Sequence, residues 1–276
     1  METLTRSASV HYRARHWREA GKKVALVATR GGLHRGHVSL VAAAQELADH
    51  VIVSEFADPP RREGQDADRT LLTNVGADLL FVPPPQEIFP IGQELSACVT
   101  LPELADELEG ASRPGYFAAV MTVLVKLLNI VRPDVAVFGE RDFQQLVMIR
   151  RIAEDLFFGV DIVGCPTWRD GDGVAFGTVN RELTEAQRAI APHLHGTLAQ
   201  IAREIDAGAR DFEALQRRGE LLLNTAGFAT DYFQIRRAMD LAPVRSGTRD
   251  LVVLAAARLG PVRLIDSQPI RLIDRR

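Results

Sequence analysis

Along the first part of the chain, the pattern of apolar and polar residues predicts strands and helices in alternation, with loops between them. Short apolar runs predict buried strands at Val24–Thr29, Val51–Phe56, Leu79–Val82 and Val135–Gly139. Helical spacing of apolar residues predicts helices from His34 to about Asp49, over Ala118–Val131 and over Phe143–Leu156. Strands that alternate with helices indicate an α/β fold with a doubly wound parallel sheet.

The second part of the chain has a different pattern. The run Asp161–Thr167 predicts the last strand of the first sheet, and a polar, glycine-rich stretch follows at residues 169–173. We therefore place a domain boundary there, with a larger domain at 1–168 and a smaller one at 169–276. Further elements are predicted as helices at Thr184–Asp206 and Asp211–Thr225 and strands at Tyr232–Arg236 and Leu251–Ala256, which indicates an α+β second domain.

Composition narrows the class of partner. The 276 residues are 46% hydrophobic and 25% charged, as in globular proteins, and the net charge is −3. This balance gives no broad basic surface for nucleic acid or for an anionic membrane, so a small-molecule substrate is expected. Cys98 and Cys165 lack the spacing of a disulfide framework or a zinc site, and we expect two buried thiols. Without a signal-like segment or a long apolar run, a cytoplasmic location is expected.

The sequence His34-Arg35-Gly36-His37 lies where a strand gives way to a helix. Its two imidazoles are three residues apart, on one helix face, beside free backbone N–H groups and the positive end of the helix dipole. Imidazole donors at this position suit a polyphosphate, and Gly36 would let a nucleotide approach the backbone. The alternative is a pair of surface histidines at a helix start.

Several stretches of the chain resemble one enzyme family. The first loop is similar to that of the HIGH-type nucleotidyltransferases, and the stretches Leu108–Gly115, Lys126–Asp134 and Phe138–Leu146 resemble blocks of the pantothenate synthetase family, in the family's order. The resemblance runs from about residue 9 to the C-terminus. It implies a Rossmann-like nucleotidyltransferase domain, a smaller C-terminal domain and a homodimer.

The resemblance also implies a reaction. In the family, pantoate and ATP give a pantoyl-adenylate and pyrophosphate, and β-alanine attacks that mixed anhydride to give pantothenate and AMP; Mg²⁺ is required. The implied catalytic residues are His34, His37 and Arg141. The implied nucleotide-binding residues are Thr29, Gly36, His37, Gly139, Arg141, Asp142 and Thr178. Gln145 would bind the acid. Arg141 replaces the family's lysine, and for Arg141 and Asp142 the alternative is ordinary surface charge at a helix start.

The acid pocket departs from the family pattern. Arg30 stands where the family has methionine, and Asp58 and Arg61 stand where it has asparagine and glutamine. These three residues are assigned to acid binding, and two buried guanidiniums with one carboxylate would favour an acid more anionic than pantoate. Pantoate is therefore not expected to be the best acid. The alternative is that the three side chains form an ion-pair cluster that fills the pocket.

Two further departures bear on ATP and metal. The segment Arg62–Gly76 is shorter than the family's and lacks its acidic stretch, so no metal ligand is assigned. The second ATP loop, Ser-Ser-Arg-Asn in the family, reads Gly177-Thr178-Val179-Asn180 here, which removes a cation and predicts weaker ATP binding. Retention of both histidines favours an ATP-dependent acid–amine ligase. A catalytically impaired nucleotide-binding protein and a nucleotidyltransferase that forms no amide are the alternatives.

Overall fold

The computed structural model describes residues 1–57 and 64–272. These residues divide into two compact units, each described by itself. Unit 1 comprises Met1–Asp106, Arg113–Gly139 and Met148–Pro166. Unit 2 comprises Glu107–Ser112, Glu140–Val147 and the described residues from Thr167 onward. Where the smaller domain begins, at residue 169, stays a prediction.

The elements are numbered in chain order. The strands are β1 Glu2–Leu4, β2 Val24–Thr29, β3 His50–Glu55, β4 Leu79–Phe81, β5 Val135–Gly139, β6 Asp161–Cys165, β7 Ala229–Arg237, β8 Asp250–Leu259 and β9 Val262–Arg271. The helices are α1 Ser7–Glu19, α2 Arg35–Leu47, α3 Gln65–Val75, α4 Pro85–Ile88, α5 Glu109–Ser112, α6 Tyr116–Val131, α7 Phe143–Asp155, α8 Glu185–Ile190, α9 Pro192–Asp206 and α10 Phe212–Thr225. Short 3₁₀ turns cover Glu140–Asp142 and Thr178–Glu182.

The described residues of unit 1 form a six-stranded parallel sheet in the order β1-β4-β3-β2-β5-β6. Strands β2 and β5 are continuous apolar runs because they are buried on both faces. The chain moves outward from β2 through β3 to β4 and then returns to the other side of β2 with β5. The strand order thus reverses between β2 and β5, and ligands of open α/β sheets bind at the carboxyl ends of strands at such a point.

The described residues of unit 2 form a three-stranded antiparallel sheet in the order β7-β8-β9. Helices α9 and α10 supply its apolar cover, through buried side chains such as Leu198, Ile201 and Leu223. The predicted α/β fold with a smaller α+β part is therefore confirmed.

The predicted single helix Thr184–Asp206 is wrong, because it is two helices, α8 and α9, that meet at Ala191. Pro192 starts α9, where its missing N–H costs nothing, whereas inside one continuous helix it would remove a hydrogen bond. Cys165 is buried as expected, but Cys98 is exposed, so the expectation of two buried thiols is wrong for Cys98.

In the part of the chain that the structure describes, every helix is too short or too polar to cross a bilayer. The longest of these helices is α6, with 16 residues.

Candidate active site

The first loop of unit 1 leaves β2 at Thr29 and is tied to the sheet by that residue. The Thr29 hydroxyl donates to the carbonyl of Ser54 on β3 at 2.8 Å and accepts the N–H of Gly31 at 3.3 Å. Thr29 is 7% exposed. Its hydroxyl therefore shapes the loop; a direct contact of Thr29 with nucleotide stays a prediction.

Gly31 has a conformation and surroundings that only glycine fits. Its φ is +73°, and a β-carbon at this position would lie 2.4 Å from Oε1 of the buried Glu55. Both the left-handed backbone and the close carboxylate exclude a side chain. The double glycine of the sequence is thus explained in part by packing within the loop.

Asp68, in the first turn of α3, holds the same loop from the other side. Its Oδ2 accepts the N–H of Gly32 at 2.6 Å, and its Oδ1 accepts the N–H of Leu33 at 2.8 Å. Asp68 is 4% exposed, so both oxygens serve a buried backbone. Sequence reasoning missed this residue, because an acidic residue early in a helix is also an ordinary dipole partner.

His34 and His37 together cap the N-terminus of α2, each accepting one backbone N–H. Nδ1 of His34 accepts the N–H of Gly36 at 3.2 Å, and Nδ1 of His37 accepts the N–H of His34 at 3.3 Å. The two rings lie with centroids 4.1 Å apart at an interplanar angle of 37°. The structure therefore brings together the two histidines that the sequence singled out, in a reciprocal capping box.

This capping fixes the tautomer of both rings. A nitrogen that accepts a hydrogen bond carries no proton, so each neutral imidazole bears its proton on Nε2. The pair thus provides two Nε2–H donors at the start of a 13-residue helix, where the dipole favours anions. Chemically, the arrangement can stabilise negative charge that develops on a phosphate.

Gly139 ends β5, the strand next to β2 in the sheet. A β-carbon at Gly139 would meet Leu40 at 4.0 Å, an ordinary van der Waals distance. The described neighbours therefore leave room for a side chain at this strand end, in contrast to Gly31.

In unit 2, Arg141 lies in the 3₁₀ turn Glu140–Asp142 and reaches the second loop. Its Nη1 donates to the carbonyl of Phe176 at 2.6 Å, and its Nη2 pairs with Asp142 at 3.2 Å. A β-carbon on Gly177 would lie 2.6 Å from that same Nη1. The guanidinium thus rests against the backbone of the loop that lacks the family's arginine.

The second loop continues into the turn Thr178–Glu182. Asn180 closes it by donating from its side-chain amide to the carbonyl of Ala175 at 2.9 Å. Val179 is exposed, so the position where the family has arginine faces solvent with an apolar side chain. Thr178 lies in this turn, and its contact with nucleotide stays a prediction.

Glu109, in the block Leu108–Gly115, forms a buried network within unit 2. Glu109 accepts the hydroxyl of Tyr232 at 2.9 Å and the guanidinium of Arg263 at 2.6 Å. Burial raises the pKa of the Tyr232 phenol well above its ordinary value, and the charge of Glu109 adds to the shift. Tyr232 is therefore a neutral donor at physiological pH, which is a structural role rather than an acid–base one.

The residues assigned to acid binding are only partly described. Arg30 is exposed and Gln145 is half-buried, while Asp58 and Arg61 lie outside the described residues. The exposed side chain of Arg30 makes no case for a buried unpaired charge at this position, and its assignment to acid binding stays a prediction. The expected preference for an acid more anionic than pantoate likewise stays a prediction.

Over almost its whole length the chain matches a known family. The model of the family described as pantoate-beta-alanine ligase matches residues 2–269. The chain belongs to the pantoate–β-alanine ligase family. The resemblance seen in the sequence is thereby confirmed.

Relatives within the pantoate–β-alanine ligase family match over almost the whole chain. A protein of Alcanivorax borkumensis named pantothenate synthetase is 44% identical, with 99% of each chain covered. The crystal structure of pantothenate synthetase from Thermus thermophilus has a TM-score of 0.87 and 35% identity, and the match covers 97% of this chain and 99% of that one.

A third relative was solved with bound molecules. The pantoate-beta-alanine ligase of Francisella tularensis, complexed with beta-gamma ATP and beta-alanine, has a TM-score of 0.77 and 29% identity, and the match covers 97% of each chain. This family member therefore binds an ATP-type nucleotide together with the amine.

Proposed function

We propose that the chain is a pantothenate synthetase, an ATP-dependent ligase that joins pantoate to β-alanine. The observation that carries the proposal is the mutually capped histidine pair at the N-terminus of α2, in a chain whose residues 2–269 match the ligase family. The same match to named ligases supports catalysis over the impaired nucleotide-binding protein.

The chemistry proceeds in two displacements. A pantoate carboxylate oxygen attacks the α-phosphorus of ATP, which forms the acyl–phosphate bond and releases pyrophosphate. The amine of β-alanine then attacks the acyl carbon, expels AMP and loses one proton. The protein holds the reactants and stabilises the charge on phosphate oxygens rather than forming a covalent bond of its own. In this proposal, Nε2–H of His34 and of His37 donate to those oxygens.

The other residues have narrower proposed roles. Arg141 supplies a cation to the nucleotide, and Asp142 orients that cation through their ion pair. Gly36, Gly139 and Thr178 contribute backbone or hydroxyl contacts to the nucleotide, with Thr29 shaping the loop before them. Gln145, whose amide offers both donor and acceptor, binds the hydroxyls of the acid.

Mg²⁺ would accompany the nucleotide. Among residues 1–57 and 64–272, no cluster of three or more histidine, cysteine or acidic side chains is arranged to hold a metal. Mg²⁺ commonly uses one or two carboxylates at most and takes its other ligands from substrate phosphates and water. The described residues thus fit an ion that is carried by ATP rather than held in a protein cage.

Pantoate is proposed as the acid for two reasons. Proteins named pantothenate synthetase are 44% identical over nearly the full chain. Arg30, the first of the charged substitutions, is solvated and does not require an anionic substrate partner. We also propose that the enzyme is a cytoplasmic homodimer, as its family resemblance implies; sedimentation analysis of the purified protein tests the dimer.

An isotope-exchange experiment with product analysis tests the function. Pantoate-dependent exchange of pyrophosphate into ATP is expected, and mass spectrometry should find pantothenate once β-alanine is added. Absence of exchange with any acid in a panel would favour the impaired nucleotide-binding protein. Exchange without an amide product would favour a nucleotidyltransferase, and faster exchange with a dicarboxylic acid would overturn the assignment of pantoate.

A further inference from the structure

Two adjacent residues of β9 are polar although they are buried. Asp266 is 3% exposed and Ser267 is 2% exposed. They pair in the sheet with Ala255 and Leu254 of β8, so their strand neighbours offer apolar side chains. Buried polar groups of this kind require hydrogen-bond partners, and most of the partners of these two side chains lie outside the sheet.

Ser267 fixes the turn that carries Arg141. Its hydroxyl donates to the carbonyl of Glu140 at 2.6 Å, one residue before Arg141. Its backbone N–H donates to Oδ1 of Asp266 at 2.8 Å, which orients that carboxylate. The 3₁₀ turn Glu140–Asp142 is thereby tied to the middle of β9.

Asp266 fixes the segment that leads into the second loop. Its two oxygens accept Nη1 and Nη2 of Arg169 at 2.6 and 2.9 Å, a bidentate pair. Arg169 forms an antiparallel bridge with Ala175. The next residue is Phe176, whose carbonyl accepts the hydrogen bond from Arg141. The segments that carry the donor and the acceptor of the Arg141–Phe176 hydrogen bond are therefore both anchored to β9, one through Ser267 and the other through Asp266.

We propose that Asp266 and Ser267 are positioning residues for the nucleotide, acting through Arg141. The proposal rests on the nucleotide-binding role proposed for Arg141. A guanidinium on a flexible stem binds phosphate well only when its orientation is held before the ligand arrives. Ser267 holds the backbone at Glu140, just before Arg141. Asp266 holds Arg169, and through its bridge to Ala175 it holds the segment whose Phe176 carbonyl accepts from Arg141.

The test compares the ATP dissociation constants of variants by calorimetry. Ser267→Ala is expected to weaken ATP binding by about fivefold, the value of one ordinary hydrogen bond. Ser267→Thr keeps the hydroxyl on a residue that suits a strand, and it should bind within about twofold of the wild type. Ser96→Ala is the matched control, because it also removes a hydroxyl-to-carbonyl bond, to Gly92 at 2.9 Å, outside both loops.

A double-variant comparison separates positioning from general support. If Ser267 acts through Arg141, Ser267→Ala should have no further effect on ATP binding in an Arg141→Ala background. In steady-state assays, Ser267→Ala should raise KM for ATP and leave KM for β-alanine unchanged. Equal losses of ATP affinity in both backgrounds, or wild-type affinity in Ser267→Ala, would overturn the proposal.

A second variant covers the case in which Ser267→Ala folds poorly. Arg169→Lys keeps the charge but loses the bidentate geometry, and it should weaken ATP binding only when Arg141 is present. Unchanged ATP affinity in Arg141→Ala would contradict the nucleotide-binding role of Arg141, and this proposal would fail with it. Weakened ATP binding in Arg141→Ala, with wild-type affinity in a folded Ser267→Ala or in Arg169→Lys, would contradict this proposal alone. A wild-type protein that does not bind ATP would remove the proposed function as well.

Discussion

The guanidinium of Arg141 occupies the space that a side chain at Gly177 would fill. A β-carbon built on Gly177 would lie 2.6 Å from Nη1 of Arg141 and 3.4 Å from Oδ1 of Asn180. The absence of a side chain at Gly177 is thus what allows the guanidinium to reach the carbonyl of Phe176.

Gly177→Ala is therefore expected to weaken ATP binding and to lower the free energy of unfolding by at most about 1.5–3 kcal/mol, the contribution of one hydrogen bond to a charged group. The colliding atom is the end of a flexible side chain, so Arg141 can move aside at little cost to the fold. Moving it breaks the hydrogen bond to the carbonyl of Phe176, so the guanidinium is no longer held in place for the nucleotide, and ATP affinity should fall roughly tenfold. Calorimetry and a melting curve measure the two effects. Gly171→Ala is the control, because no atom lies within 4 Å of its added β-carbon; equal ATP affinity in the two variants would contradict the expectation.

The histidine pair gives a second prediction. His34→Ala and His37→Ala should each reduce turnover by about a hundredfold or more, because one preorganised donor to a transition-state oxyanion contributes roughly 3 kcal/mol. His34→Asn separates catalysis from capping: asparagine is a good N-cap, so the melting temperature should be kept while turnover is still lost. Turnover at the wild-type rate in either alanine variant would contradict the catalytic role assigned to that histidine.

Asp68 gives a third prediction, on a residue outside the first set of candidates. Asp68→Asn leaves one acceptor for two buried N–H groups, those of Gly32 and Leu33, and an unpaired buried donor costs about 1–3 kcal/mol. Unfolding stability should fall by that amount, and ATP affinity should fall with it because the loop before His34 loses its anchor. Asp66→Asn, an exposed change in the same helical turn, should alter neither. Chemical denaturation with unchanged midpoints in both variants would contradict the role of Asp68.

Strands buried on both faces could be predicted from sequence, and polar strands could not. The bounds of β2 and β5 agree with their predictions, because a short continuous apolar run is typical of a parallel strand that is buried on both faces. Strand β9 was not predicted, since Asp266, Ser267 and Pro269 interrupt its pattern. The side chains of Asp266 and Ser267 find their partners far along the chain, at Arg169 and Glu140. Pro269 is tolerated because β9 is an edge strand.

The same division holds for the candidate site. The pairing of His34 with His37 is local, since both belong to one loop and one helix start, and the sequence therefore reveals it. Asp68 is 36 positions from Gly32, so only the folded chain brings its carboxylate to the loop. The contact between Arg141 and Phe176 spans 35 positions and is invisible in the sequence for the same reason. Residues that hold a loop in place are thus harder to predict than residues that line it.

The second ATP loop gives the last prediction. The family's arginine is replaced by Val179, which is exposed and cannot donate to a phosphate. The double change Thr178→Ser with Val179→Arg restores the family's residues, and ATP binding should tighten by roughly tenfold, because hydrogen bonds to charged groups contribute about 1.5–3 kcal/mol. Val179→Met is the control for added bulk without charge, and it should leave affinity unchanged. Calorimetry at two salt concentrations adds a second criterion, since a new charge contact to phosphate should weaken as salt rises. Unchanged affinity in the restored loop would mean that Arg141, which already lies against this loop, serves the phosphates that the lost arginine contacts in the family.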